Sequence, residues 1–63
     1  MGTNMEMRAT NKTALFELLM LKRDYEKLGI KVSSRHAELI LKYEAGMEAE
    51  DVAWVEKKIA QLG

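Results

Sequence analysis

The stretch from Ala14 to Leu28 constrains this chain more than any other. Ala14, Leu18, Leu21, Tyr25 and Leu28 recur at spacings of four, three, four and three, which stacks them along one seam of an α-helix. Gly29 follows directly and suits the left-handed residue that closes many helices. From Ala14 to Leu21 the only polar residue is Glu17. Leu15, Phe16, Leu19 and Met20 therefore spread apolar surface around most of the cylinder. A helix that is apolar all round is normally covered all round, so this segment demands more cover than a one-sided helix would.

Length limits how much cover the chain can supply. Sixty-three residues make one domain, and a domain this small buries only about 60% of the surface its unfolded chain exposes. Disulfides, metals, idealised packing or oligomerisation make up such a deficit. The chain has no cysteine and a single histidine, which removes disulfides, thiolate metal sites and multi-histidine sites within one chain. Packing and oligomerisation remain.

Two further helices are legible. In the connection from Gly29 to Ser34, Ile30 and Val32 alternate with Lys31, the pattern of a short extended link resting on a core. Ser33 or Ser34 caps the next helix, Ser34 being preferred because the apolar period begins at His36 and Ala37. His36, Ile40, Tyr43 and Met47 then share one side, widened by Ala37 and Leu41, with Arg35, Glu38 and Lys42 opposite. Gly46 ends that helix. In the last stretch Glu48, Glu50 and Asp51 crowd a first turn and Lys57 and Lys58 lie near the end, each where the helix macrodipole favours it. Val52, Val55, Ile59 and Leu62 form its seam, and Trp54 projects away from that seam.

Residues 1–9 show no apolar period and read as a mobile tail, so the first helix is expected to begin within Thr10–Thr13. The predicted fold is all-α: a small three-helix bundle, or a helical hairpin plus a third helix, with helices near 11–28, 34–45 and 48–62. Oligomerisation is expected to complete it. The main alternative runs the second and third helices together through Gly46, since glycine within a helix costs only about 1 kcal/mol relative to alanine. Leu18, Leu21, Tyr25, Ile40, Leu41, Val55 and Ile59 are the expected buried set.

Chemistry is sparse. Ser33, Ser34 and His36 are the one close group holding a nucleophile and a base, but their spacing is that of a cap and its first turn, with no carboxylate set to orient the imidazole. Glu44, Glu48, Glu50 and Asp51 lack the D-x-[DN]-x-[DN]-G pattern of a calcium loop. Neither glycine-rich phosphate-binding motif occurs. The expectation is a protein that is not an enzyme, with no catalytic residue, metal or cofactor.

Formal net charge is zero, yet its distribution is uneven. From Arg8 to Lys42, eight Lys/Arg oppose Glu17, Asp24, Glu26 and Glu38, a balance of +4. From Tyr43 onward, Lys57 and Lys58 oppose Glu44, Glu48, Glu50, Asp51 and Glu56, a balance of −3, and Glu6 completes the sum. No apolar run approaches the ~20 residues of a membrane span, and no signal-peptide core is visible, so a cytoplasmic protein without a membrane partner is expected.

Two functional readings follow. The first is a small protein-interaction or regulatory module that acts as a homo-oligomer, likewise able to hold another protein. It rests on surplus apolar surface at Phe16, Met20, Leu15 and Leu19, with Trp54 as an additional contact. In the second, Leu28-Gly29-Ile30 followed by a serine-capped helix resembles the turn and recognition helix of a helix-turn-helix domain. That resemblance implies DNA binding by the residue 34–45 helix, with Arg35, Glu38 and Lys42 toward base edges and Lys22, Arg23, Lys27 and Lys31 near phosphates. Zero net charge gives no domain-wide electrostatic footprint for nucleic acid, which ranks this reading second.

Overall fold

A computed structural model describes residues 5–62. Three helices follow one another: α1 spans Met5–Lys27, α2 Ser34–Gly46 and α3 Ala49–Gln61. The expected bundle is therefore present, with α2 and α3 separate. Met47 (φ −107°, ψ 159°) and Glu48 (φ −66°, ψ 143°) are both extended, and two consecutive extended residues break a helix outright. Met47 also rests against the core, which holds the turn in place.

α1 begins at Met5, earlier than the expected start within Thr10–Thr13, so residues 5–9 of the expected tail are helical. The first four residues of that tail lie outside the described residues. Met, Glu, Arg and Ala are good helix formers, and a charged contact at Arg8, rather than an apolar period, ties this end to the rest of the molecule. Thr13 does not cap; its hydroxyl donates to the Ala9 carbonyl one turn back at 3.1 Å, which satisfies it inside the helix. At the other end, Gly29 takes φ +75°, a conformation costly for any residue bearing a Cβ. Gly29 N–H donates to Glu26 O and Ile30 N–H to Tyr25 O, at 3.0 and 2.8 Å. These are the paired bonds of a Schellman cap.

The cap of α2 is Ser33, not Ser34: its Oγ accepts from His36 N–H at 3.1 Å. Ser34 is already the first helical residue, while Ser33 holds the extended backbone of a cap, φ −66° and ψ 157°. Ser33→Ala is expected to cost about 1 kcal/mol, seen as a lower melting temperature by circular dichroism, while Ser34→Ala leaves it nearly unchanged.

α1 is the spine. It packs along both other helices, which touch each other less. Arg8 meets Asp51 near the start of α3, and Arg23 meets Leu62 at its end, so α1 and α3 run parallel. On the other flank His36, early in α2, reaches Leu18 through a 2.8 Å hydrogen bond from Nε2 to the carbonyl. Asn11 lies beside Tyr43 and Gly46, so α2 runs antiparallel to α1. The core takes one residue from each helix: Leu15, Ile40 and Val55. Phe16, Leu18, Leu19, Tyr43, Met47, Val52 and Ile59 surround them, partly buried.

This corrects the expected buried set. Ile40 and Val55 are inside, and Leu18 and Ile59 pack against them. Leu21 and Tyr25 remain 42% and 37% exposed, and Leu41 is more exposed still. The seam from Ala14 to Leu28 is a real stripe on α1, but of its large residues only Leu18 packs against the core. α3 lies against the adjoining stripe, through Arg8, Leu15, Leu19 and Arg23, and turns that side inward. Leu41 follows Ile40 by one residue, about 100° around α2, which carries it off the buried side. The molecule measures 43 × 25 × 16 Å. The side of α1 turned away from α3 stays open, with Leu21, Tyr25 and Leu28 exposed along it.

Candidate interaction face

The open side is lined from both α1 and α2. Ala14, Leu18, Leu21, His36, Leu39 and Tyr43, with Glu17 at the edge, border a shallow trough of about 400 Å³. It continues past Leu39 and Tyr43 to Asn11, Lys42 and Gly46. On α1 the stripe carries on beyond the trough through Tyr25 to Leu28, which is 72% exposed. Leu39 is 40% exposed. Helical spacing explains the grouping, since Leu18, Leu21, Tyr25 and Leu28 share one side of α1, while His36, Leu39 and Tyr43 share one side of α2. The two rims of this face are charged. Glu17 and Asp24, seven residues apart, flank the α1 stripe; Arg35 and Lys42, also seven apart, flank the α2 stripe.

The residues expected to carry an interface are distributed differently. Leu15 has no exposed surface, because Ile40 and Val55 cover it within one chain. Phe16 and Leu19 rest against that core, half-buried. Met20 and Trp54 keep accessible surface. Two cations lie over the Trp54 ring, Lys12 Nζ at 4.9 Å and Lys58 Nζ at 5.5 Å from its centroid, both within cation–π range. Lys58 is a neighbour the chain order suggests. Lys12 arrives from α1, a contact that no local pattern announces.

The seven residues assigned by the helix-turn-helix resemblance are also scattered. Arg35, Glu38 and Lys42 lie exposed on α2, and Lys27 is exposed at the end of α1. Lys22 and Lys31 border a recess with Glu26, Ser33 and Ser34. Arg23 instead turns toward α3, where its Nη2 donates to Leu62 O at 3.0 Å while Nη1 lies 3.4 Å from Asp24 Oδ1.

Opposite the open face, two arginines stitch α1 to the two ends of α3. Arg8 donates from Nε and Nη2 to the two carboxylate oxygens of Asp51, both at 2.9 Å, and from Nη2 to Glu50 Oε1 at 2.7 Å. Asp51 is buried and Glu50 is exposed. The hydrogen bonds from Arg8 hold the Asp51 carboxyl below its ordinary range; burial opposes this, and the charges of Arg8 and Lys12 assist it. Arg8 in turn is held still more firmly protonated, first by Asp51 and then by Glu50. Fifteen residues on, roughly 22 Å along the helix, Arg23 meets the carbonyl end of α3, where a cation is favoured. The sequence placed Glu50 and Asp51 at a helix start; that they serve α1 as well had no local signal.

Among the described residues, no three His, Asp or Glu side chains converge as a metal site would require. No helix among them is long and apolar enough to cross a membrane. Comparison with protein-family models, with curated proteins and with solved structures finds no match to this chain.

Proposed function

We propose that this chain is a small non-enzymatic protein-interaction module that acts as a homo-oligomer, working by occupying surface rather than by chemistry. One observation carries the reading: a continuous apolar face on the open side of the spine, from Ala14 through Leu21 and Leu39 to Tyr25 and Leu28. Contiguous apolar patches of this kind mark interaction sites far more often than scattered single residues do. The core adds a reason for self-association, since only Leu15, Ile40 and Val55 are buried hydrophobics among the described residues. Covering the open face with a like surface would enlarge that core. The α1–α2 face takes precedence over the side of α1 bearing Phe16 and Met20, because Phe16 already rests against its own core.

Sedimentation equilibrium over a wide concentration range, at low and high salt, tests this directly. The expected result is a mass above that of the monomer, rising with concentration. A chain that stays monomeric up to about 100 µM, where even modest self-association registers, would sink the reading.

A further inference from the structure

Resting on the self-association just proposed, we infer that the occupant of the α1–α2 face is a second copy, bound about a two-fold axis that lays α1 of each chain over α2 of the other. Charge and area both point to this occupant. Glu17 and Asp24 make the α1 rim acidic, while Arg35 and Lys42 make the α2 rim basic. Each pair spans seven residues, or about 10.5 Å of helix, so the two rims carry opposite charges at matched spacing. α1 and α2 are antiparallel within a chain, so a two-fold axis along the helices brings an antiparallel α2 over each α1. Glu17 then approaches Lys42 of the second copy, and Asp24 approaches Arg35. The same two pairs recur on the other side of the axis, as an isologous interface requires. Laying α1 over α1 would instead set acidic rim against acidic rim, which costs association. Glu38 lies farther around α2 than Arg35 and Lys42, outside this rim, and Asp24 has the partly buried Arg23 as a neighbour at 3.4 Å.

Area agrees with this. The exposed parts of Leu21, Tyr25, Leu28 and Leu39, with Tyr43, amount to something on the order of 400 Å² per chain, close to the apolar share of a standard interface of about 800 Å² per partner. Apolar contact would supply the affinity, and the rims would select the orientation.

Two charge-reversed chains test the arrangement. One carries Glu17→Lys with Asp24→Lys; the other carries Arg35→Glu with Lys42→Glu. Each alone sets like charges against like at every rim contact and is expected to self-associate at least roughly tenfold more weakly than the unaltered chain. Mixed in equal amounts, they restore opposite charges at all four contacts and form a heterodimer, read by sedimentation and by native mass spectrometry. If a reversed chain loses helicity when alone, recovery of helicity on mixing supports the arrangement, and failure to recover overturns it. An unaltered chain that dimerises, with both reversed chains dimerising equally well and showing no preference for each other, overturns this orientation and leaves self-association standing. An unaltered chain that is monomeric overturns both.

Discussion

Leu15→Ala is expected to remove most of the stability of this protein. Leu15 sits at the meeting point of all three helices with no exposed surface, against Ile40 and Val55. Truncating a fully buried leucine costs about 2–5 kcal/mol, the lost transfer energy plus that of the cavity left behind. A domain of this length holds only roughly 3–9 kcal/mol in total, so the variant should melt far below the parent or be largely unfolded at room temperature. The control is Leu21→Ala. Leu21 belongs to the most regular stripe on α1 but is 42% exposed, so in the monomer it should cost much less. Thermal melts by circular dichroism at low concentration decide between them. Equal losses at the two positions would mean that α1 is rotated from the orientation described.

Asp51→Ala is expected to be the most damaging change of a charged residue. It strips Arg8 of both hydrogen bonds that a buried carboxylate supplies, leaving the exposed Glu50 as its remaining acid. Removing one member of a partly buried pair is harmful because the other charge, still partly enclosed, is left with only an exposed and screened partner. The first turns of α1 should then loosen from α3, with increased amide exchange between Met5 and Asn11. Glu50→Ala, removing an exposed and screened contact, should do little.

The same pair sets a pH dependence. The Asp51 carboxyl is depressed below its ordinary 3.8 in the folded chain. Its contribution is therefore complete above that value, where the unfolded carboxyl is also ionised, and is lost as pH falls through the lower folded value. The melting temperature of the parent should drop on acidification below about pH 4 more steeply than that of Asp51→Asn. Parallel profiles for the two proteins would show that Asp51 is not the group responsible.

What the chain order determines here is whatever local physics controls. Three helices, the stop at Gly29, the acidic start of α3 and its Val52–Val55–Ile59 seam follow from spacing, cap chemistry and the macrodipole, all of which act within a few residues. Even the surplus of apolar surface on α1 is visible without coordinates. Which side of α1 turns inward is not, because from Ala14 to Leu21 nearly every direction is apolar and periodicity cannot choose among them. That choice was made by α3, whose parallel placement is secured by Arg8 on Asp51 at one end and Arg23 on the Leu62 carbonyl at the other. These contacts join residues 43 and 39 positions apart, and no local pattern encodes them. Once α3 covers Leu15 and Leu19, the stripe from Ala14 through Leu21 to Leu28 is left on the open side, bordered by Leu39 and Tyr43. The interface proposed above therefore lies in the groove between α1 and α2 rather than at Phe16 and Met20, because only packing decides which of several apolar faces is left most open.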